Sequence, residues 1–107
     1  MARDTLGEFE QKVLLAILRL DSESYSVPLV LELEEKTGRE VKPAAVYIAL
    51  RRLEEKGFVS SRMEAAEGGG RARRYFKMEP PGLDRLRDSL RAIEALREGL
   101  EPLLERT

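Results

Sequence analysis

The last quarter of the chain repeats leucine at helical spacing, and this repeat limits the fold more than any other feature of the sequence. A Pro-Pro-Gly sequence at residues 80–82 opens the segment, and apolar residues then recur at helical intervals. About 20 residues with a rise of 1.5 Å each form a helix of roughly 30 Å, and Gly99 and Pro102 should loosen or kink its end. The stripe contains Leu83, Leu86, Leu90, Ile93, Leu96, Leu100 and Leu103.

A helix of this length has an apolar stripe that the rest of the chain is too short to cover. The chain has 107 residues, and the 79 residues before the helix form one domain with one modest core. The uncovered leucines would leave a large apolar patch in water, and a second copy of the chain is the expected cover. We therefore predict a dimerisation helix over residues 80–107 and a core-forming domain over residues 1–79, joined in one structural unit.

Capping and punctuation residues divide the first 79 residues into three short helices and a hairpin. Thr5 with Glu8 fits a capping box, which predicts a first helix over residues 5–20, and a polar turn follows over residues 21–25. The inward face of this helix would consist of Leu6, Phe9, Val13, Ile17 and Leu20.

Proline and glycine set the limits of the second and third helices. Ser26 is the expected N-cap of the second helix, and Gly38 is its expected end. Pro43 opens the third helix, and Gly57 lies just beyond its C-terminus. The buried faces would consist of Val30, Leu31 and Leu33 in the second helix and of Val46, Leu50 and Leu53 in the third.

Two strands and a glycine-rich connection follow the third helix. Residues 58–64 and 73–78 favour strands, and the glycine-rich stretch between them cannot hold a helix. Phe76 and Met78 are the expected core-facing residues of the second strand. Three short helices followed by a hairpin predict a mainly α (α+β) fold, a winged helix-turn-helix with a long C-terminal dimerisation helix. Residues 1–79 would form its winged-helix DNA-binding domain.

Basic residues are concentrated in one part of the chain, although the net charge is only −1. Residues 42–77 carry nine Lys and Arg against four Asp and Glu, a net charge of +5, and the rest of the chain carries −6. A basic third helix and hairpin between acidic segments predict a contact surface for a polyanion and would orient the protein on a DNA duplex.

The residue types that the sequence lacks exclude several functional classes. Without Cys and His, the chain has no thiolate nucleophile and lacks the usual general base and the commonest metal ligands. Neighbouring carboxylates, Glu34 with Glu35 or Glu54 with Glu55, point in different directions on a helix, which is typical of solvated surfaces. We therefore expect neither an enzyme nor a cofactor or metal site. The apolar run at residues 13–18 is too short to span a membrane and lacks the flanks of a signal peptide, so we expect a cytoplasmic protein without a membrane partner.

The outward face of the third helix carries the candidate base-reading residues. At 100° per residue, the side opposite the buried stripe holds Ala44, Ile48, Arg51 and Glu55, with Ala45, Tyr47 and Arg52 on its flanks. Small and aliphatic side chains can touch thymine methyl groups, Arg51 can fork onto guanine, and Tyr47 can donate to a phosphate. In the alternative interpretation the small and aliphatic residues only fill the surface, and an acid on the same face repels phosphate.

The hairpin tip completes the candidate DNA-binding set. Glycines at residues 68–70 allow a turn and a close backbone approach, and the arginines that follow suit phosphates and narrow minor grooves. The alternative is a flexible, solvated loop whose charges only maintain solubility. Arg52 is expected to have a structural role, pairing with an acid on a neighbouring helix. The complete set is Lys42, Ala44, Ala45, Tyr47, Ile48, Arg51, Arg71, Arg73 and Arg74.

The third helix and the hairpin also resemble a known family. Residues 43–59 read PAAVYIALRRLEEKGFV, which resembles the third-helix signature of PadR-like transcriptional regulators, and residues 70–82 resemble the second wing strand and the start of the C-terminal helix in that family. The resemblance implies that Tyr47 contacts DNA, that the wing arginines grip the backbone, and that the last helix builds a homodimer. Some small members stack planar drugs on a Trp between the paired C-terminal helices, and this chain has no Trp.

Together these features predict a homodimeric, sequence-specific DNA-binding regulator, a repressor of a nearby operon or of its own gene. Its two recognition helices would enter successive major grooves about 34 Å apart on a palindromic operator. A small-molecule effector that changes this spacing would weaken binding by a population shift. The alternative is a winged-helix module that binds a protein partner through the third helix or the hairpin, without specific DNA binding.

Overall fold

The computed structural model describes residues 5–65 and 67–105 and contains, within them, five α-helices and three β-strands. Three parts of the predicted units lie outside the described residues: residues 1–4, Ala66 in the predicted hairpin loop, and residues 106–107. The architecture confirms the predicted mainly helical winged-helix fold. In chain order the elements are α1 (Glu8–Arg19), β1 (Glu23–Ser24), α2 (Ser26–Thr37), α3 (Pro43–Glu55), β2 (Val59–Glu64), a 3₁₀ turn (Glu67–Gly69), β3 (Arg73–Met78), α4 (Pro80–Arg97) and α5 (Glu101–Leu104).

One hydrophobic core joins the first three helices, the sheet and the first half of α4. Phe76 and Met78 of β3 turn into this core, as the strand alternation predicts. Full burial of one large apolar side chain contributes about 1.5–3 kcal/mol, so these contacts hold α3 and the hairpin in a fixed relation. The largest fully buried side chains are Val13, Leu14, Ile17, Leu29, Val46, Leu50, Leu53, Phe76 and Leu86.

The sheet places alternate residues of the hairpin on two faces with different surroundings. Its strands are antiparallel in the order β1-β3-β2, and Ser61 of β2 lies opposite Phe76 of β3. The face that contains this pair packs against the helices and is called the inner face here; the opposite one is the outer face. The inner face carries Val59, Ser61, Met63, Arg74, Phe76 and Met78, and the outer face carries Ser60, Arg62, Glu64, Arg73, Tyr75 and Lys77.

A two-residue strand replaces part of the predicted polar turn, so this part of the prediction is wrong. Asp21 and Ser22 adopt positive φ angles of 64° and 69°, which reverse the chain after α1. Glu23 and Ser24 then pair with β3 and extend the sheet by one short strand. A strand of two residues has no apolar period, and the sequence therefore gives no signal for it.

The first helix begins later than the capping pattern indicates. Its N-cap is Gly7 rather than Thr5, and the Gly7 N–H donates to Glu10 Oε1 at 2.8 Å. The predicted capping box of Thr5 and Glu8 is therefore wrong. The Glu10 carboxylate is buried and also accepts hydrogen bonds from Lys56 Nζ at 2.9 and 3.1 Å. This ion pair with the end of α3 holds Glu10 in the capping position.

The buried face of α2 differs from the predicted one. The helix begins at Ser26, so its N-cap is the preceding residue rather than Ser26 itself. Leu29 and Leu33 are buried, Val30 is partly buried, and Leu31 is 60% exposed. Leu29 and Leu33 lie one turn apart on the core side, whereas Leu31 lies on the opposite side of the helix.

The third helix has the limits that its proline and glycine predict. It begins at Pro43 and ends at Glu55, and Gly57 adopts a φ of 79°, the conformation that favours glycine after a helix. Its predicted apolar stripe is buried. β2 begins at Val59, one residue later than predicted, and β3 has the predicted limits.

The first turns of α4 pack on the core of the same chain. A Cβ atom at Gly82 would lie 2.2 Å from the carbonyl oxygen of Phe58, so the close approach of α4 to this loop requires glycine. Leu83 packs against the core, and Leu86 is only 1% exposed. Leu86 is therefore a core residue of its own chain rather than an exposed member of the stripe.

The second half of α4 leaves the core, and the helix ends before the stripe does. Gly99 follows with a φ of 83°, and the short α5 has Pro102 in its first turn, which confirms the predicted loosening. Within the described ranges, no helix is long and apolar enough to cross a membrane. The large exposed apolar residues of this region are Leu90, Ile93, Leu96, Leu100, Leu103 and, beyond the predicted stripe, Leu104.

Candidate nucleic-acid interface

The outward face of α3 lies exposed beside the wing, the name used here for residues 59–78. Lys42 is the N-cap of α3, and Ala44 and Ala45 lie in its first turn; all three are exposed. Ile48 is 51% exposed, although its side chain is branched and aliphatic. This surface of small and apolar side chains allows close approach to the edges of base pairs.

Tyr47 and Arg51 form a pair one helical turn apart on α3. Arg51 Nη1 donates to the Tyr47 hydroxyl at 3.2 Å, and the guanidinium carbon lies 5.9 Å from the centre of the tyrosine ring. The ring packs edge-on against Phe76, with centroids 6.3 Å apart and planes at 82°. Because the hydroxyl oxygen accepts from Arg51, its own hydrogen can be donated outward.

The electrostatics of this pair also favour donation by Tyr47. The hydrogen bond from Arg51 is the largest effect and lowers the pKa of Tyr47, with a smaller contribution from the positive charge of Arg74. The same hydrogen bond raises the pKa of Arg51. A more acidic hydroxyl is a stronger donor, which suits a phosphate oxygen as acceptor.

On the inner face of the wing, Arg74 connects to α3 through two side chains. Its Nη1 donates to Ser61 Oγ at 3.0 Å, and Ser61 Oγ donates to Glu54 Oε2 at 2.6 Å. The other carboxylate oxygen of Glu54 lies 3.6 Å from Arg51 Nε. Two arginines of the predicted set, Arg51 and Arg74, are thus brought to one surface.

Arg73 lies on the outer face, away from α3. Its guanidinium carbon is 4.6 Å from the centre of the Tyr25 ring. Tyr25 in turn packs against Tyr75, with ring centroids 5.3 Å apart and planes at 59°. The structure therefore separates Arg73 from the neighbouring Arg74, although the sequence groups them.

A further arginine of the basic segment, Arg62, is neutralised within the outer face. Its Nε donates to Glu23 Oε2 at 3.0 Å, its Nη1 donates to Glu64, and its guanidinium carbon lies 5.0 Å from the centre of the Tyr75 ring. The hydrogen bond to Glu64 and then the one to Glu23 raise the pKa of Arg62. The net charge of +5 in residues 42–77 does not include Glu23 and therefore overstates the positive charge of this face.

The tip of the wing carries Arg71, which is exposed. Gly68 and Gly69 before it adopt φ angles of 77° and 83°, which favour glycine. The turn geometry alone therefore accounts for these glycines. Arg71 is thus an exposed cation at the tip of the wing.

The predicted ion pair of Arg52 with a neighbouring helix is not found within residues 5–65 and 67–105. Arg52 is exposed and lines a groove between α3 and the start of α1, together with Ala45 and Ile48. Lys56, one turn later, makes the expected type of contact with Glu10 of α1. The helix pattern cannot distinguish these two cations, because the packing of α1 on α3 decides which of them meets Glu10.

Three helices, a wing and an exposed basic helix face are the parts of a winged helix-turn-helix regulator. A model of the transcriptional regulator PadR-like family matches residues 14–88. The chain is also 36% identical over 76 residues to the transcriptional regulator Rv3488 of Mycobacterium tuberculosis, which covers 71% of this chain and 68% of that protein. The chain therefore belongs to the PadR-like family of transcriptional regulators.

Solved structures of similar proteins agree with this fold. A PadR family transcriptional regulator from Eggerthella lenta superposes with a TM-score of 0.70 at 27% identity, covering 94% of this chain and 88% of that one. Bacillus subtilis PadR in complex with operator DNA has a TM-score of 0.62 at 21% identity and covers 74% of this chain and 45% of that one. The second likeness concerns the fold alone.

Proposed function

We propose that the protein is a homodimeric, sequence-specific DNA-binding regulator that represses a nearby operon or its own gene. The observation that carries this proposal is the exposed surface on which Tyr47 and Arg51 of α3 lie next to Arg74 of the wing. Membership of a family of transcriptional regulators supports it and agrees with a function other than catalysis. The operator DNA bound by Bacillus subtilis PadR, a protein of the same fold, supports it further.

In the proposed complex, α3 enters the major groove and the wing contacts the DNA backbone. Ile48 and the alanines of the first turn touch thymine methyl groups, and Arg51 reads guanine through the donors that Tyr47 does not occupy. Tyr47 donates to a phosphate, and Arg71 and Arg74 neutralise further phosphates. Lys42 adds a cation at the start of α3.

The exposed leucines of α4 and α5 support the proposed homodimer. Leu96 is 76% exposed, and Leu90, Ile93, Leu100 and Leu103 are exposed as well. Leaving such a stripe in water is unfavourable, and pairing with a second copy would cover it. Two α3 helices held in this way would match half-sites one helical turn apart, about 34 Å, on a palindromic operator.

Regulation would act through the distance between the two winged-helix domains of the dimer. An effector that binds one dimer geometry better than another would shift the population and change operator affinity. As a regulator of transcription, the protein would act on DNA in the cytoplasm.

Selection of bound sequences from random double-stranded DNA tests the proposal, with the full chain as bait. We expect a palindrome whose half-sites are about 10–10.5 base pairs apart. A Tyr47→Ala/Arg51→Ala variant that keeps the circular dichroism of the native chain serves as the control and should not enrich the palindrome. If the native chain enriches no sequence at low salt, sequence-specific DNA binding is excluded and the protein-binding module becomes the better interpretation.

Analytical ultracentrifugation tests the dimer separately. We expect a dimer at micromolar concentration and a shift towards monomer for Leu96→Glu, because a charge in the apolar contact is costly to desolvate. Leu31→Glu is a matched control, since Leu31 is also an exposed helix leucine but lies on α2, outside the stripe. A native monomer, or equal effects of the two changes, would contradict dimerisation through α4 and α5.

A further inference from the structure

Glu54 occupies a position in the candidate interface that its charge alone does not explain. It lies on α3 between the outward face of that helix and the wing, and its side chain is 31% exposed. A carboxylate close to DNA repels phosphate, so on charge grounds an acid is unfavourable at this place. The sequence pattern predicts a solvated surface for Glu54, whereas in the structure both of its carboxylate oxygens have partners.

The two oxygens of this carboxylate contact different elements. Glu54 Oε1 lies 3.6 Å from Arg51 Nε on the same helix, and Glu54 Oε2 accepts a hydrogen bond of 2.6 Å from Ser61 Oγ on β2. The carboxylate therefore places a negative charge beside the Arg51 guanidinium and ties α3 to the inner face of the wing.

Ser61 extends this control to the wing arginine. A hydroxyl group has a single hydrogen, and the Ser61 hydrogen is donated to Glu54. The lone pairs of Ser61 Oγ are then available to Arg74, whose Nη1 donates to them at 3.0 Å. The bonds run in one direction, from Arg74 to Ser61 to Glu54, so an acceptor at position 54 orients the hydroxyl that holds Arg74.

We propose that Glu54 is a positioning residue for DNA recognition, which acts directly on Arg51 and, through Ser61, on Arg74. It holds α3 and the wing in a fixed relative position, so that the helix contacts the bases while the wing contacts the phosphates. This inference rests on the proposed DNA-binding function. It assigns to an acidic residue a favourable effect on affinity for a polyanion.

Two neighbouring acids on α3 allow a test, because positioning and charge predict opposite changes in operator affinity when Glu54 is removed. Glu54→Ala and Glu55→Ala remove the same charge one residue apart, and Glu55 is exposed and makes no hydrogen bond or ion pair among the described residues. Charge alone predicts tighter binding for both changes. We expect Glu54→Ala to weaken binding to the selected operator by roughly tenfold, and Glu55→Ala to leave it unchanged or tighter.

The salt dependence of binding distinguishes a positioning role from a general loss of structure. Removing Glu54 takes away no cation, yet we expect the slope of log affinity against log salt to fall by up to about one per half-site, because Arg74 no longer meets its phosphate. Glu54→Gln, which keeps an oxygen acceptor for Ser61, should restore part of the affinity. Thermal unfolding checks that the variants remain folded.

A double-mutant cycle tests the route through Ser61. If Ser61 acts through Arg74, Ser61→Ala combined with Arg74→Ala should weaken binding no more than Arg74→Ala alone. Additive losses would overturn this route. Native-like or tighter specific binding by Glu54→Ala would overturn the positioning role while leaving the proposed function intact, whereas failure of the native chain to select an operator would remove the proposed function itself.

Discussion

The two faces of the wing carry arginines that are adjacent in sequence but differ in what they can offer to DNA. Strand alternation places Arg73 on the outer face and Arg74 on the inner face of β3. Arg74 donates to Ser61, which in turn donates to Glu54 of α3. Arg73 instead lies over the ring of Tyr25, on the opposite side of the sheet from α3.

The faces also differ in how their positive charge is balanced. On the outer face, Arg62 donates to two carboxylates, Glu23 and Glu64, and lies over the Tyr75 ring. Beside the inner face, the Glu54 carboxylate lies 3.6 Å from Arg51 Nε and connects to Arg74 through Ser61 Oγ. The inner face therefore keeps surplus positive charge next to α3, whereas Arg62 is compensated by its own neighbours. The number of arginines in a segment thus overstates the number that can bind phosphate.

Among the changes that test the difference between the two faces, Arg74→Ala should weaken operator binding most. We expect operator affinity to fall by roughly 100-fold in a dimer that carries the change twice, because a hydrogen bond to a charged group contributes about 1.5–3 kcal/mol and 1.4 kcal/mol is about tenfold. Fluorescence anisotropy across about 50 to 200 mM salt should also give a shallower slope. An equal loss for Arg73→Ala would show that the two faces do not differ.

Tyr47→Phe should show the next largest effect, because it removes the hydroxyl that α3 presents beside Arg74. We expect roughly a tenfold loss for the dimer, smaller than for Arg74→Ala because a neutral donor rather than a cation is removed, and for the same reason little change in the salt slope. Anisotropy on the selected operator measures the loss. Unchanged affinity would exclude the proposed phosphate contact.

The pH dependence of the native chain gives a second measure of Tyr47. Its pKa is lowered, mainly by the hydrogen bond from Arg51, so the hydroxyl loses its proton at a lower pH than an ordinary tyrosine. The deprotonated form cannot donate and adds negative charge, so affinity should fall as the pH rises from about 7 towards 10. Tyr47→Phe should remove this fall. Arg51→Ala should move the fall to higher pH, because the main cause of the lowered pKa is gone.

Local signals in the sequence are sufficient for much of the fold. Pro43 and Gly57 give the limits of α3, because a proline at the first helical position and a glycine after the last one act through their own backbone. The start of α1 could not be predicted in this way. Glu10 caps the helix while Lys56, from the far end of α3, holds its carboxylate, and this contact depends on how the helices pack.

The sequence predicts which segments form the candidate site, but not which side chains contact one another within it. Because Phe76 and Met78 are expected to face the core, the same alternation places Arg74 with them and Arg73 opposite, so the signal that separates the two arginines was present in the sequence. The link from Glu54 to Ser61 has no such signal. It depends on the distance between α3 and β2, which only the packed core determines.

Arg73→Ala should weaken operator binding less than Arg74→Ala or Tyr47→Phe. Its guanidinium is exposed, and in the proposed complex it would act on DNA only through its general positive charge, which salt screens within about 10 Å. We expect a loss of roughly two- to fourfold for the dimer, which shrinks as salt is added. Anisotropy with Arg74→Ala as the reference measures the ratio of the two losses. A loss that persists at high salt would indicate that Arg73 makes a direct contact.

Arg62→Gln should have the smallest effect on DNA binding, although it removes a full positive charge from the wing. The guanidinium is held by Glu23 and Glu64, so its field is largely cancelled before it reaches the duplex. We expect operator affinity to change by less than about twofold and the unfolding temperature to fall slightly, since the outer face loses its ion pairs. A Glu23→Gln/Arg62→Gln double variant keeps the net charge and serves as the control. If Arg62→Gln instead weakened binding as much as Arg74→Ala, the outer face would have to contact DNA, and the separation of the two faces would be wrong.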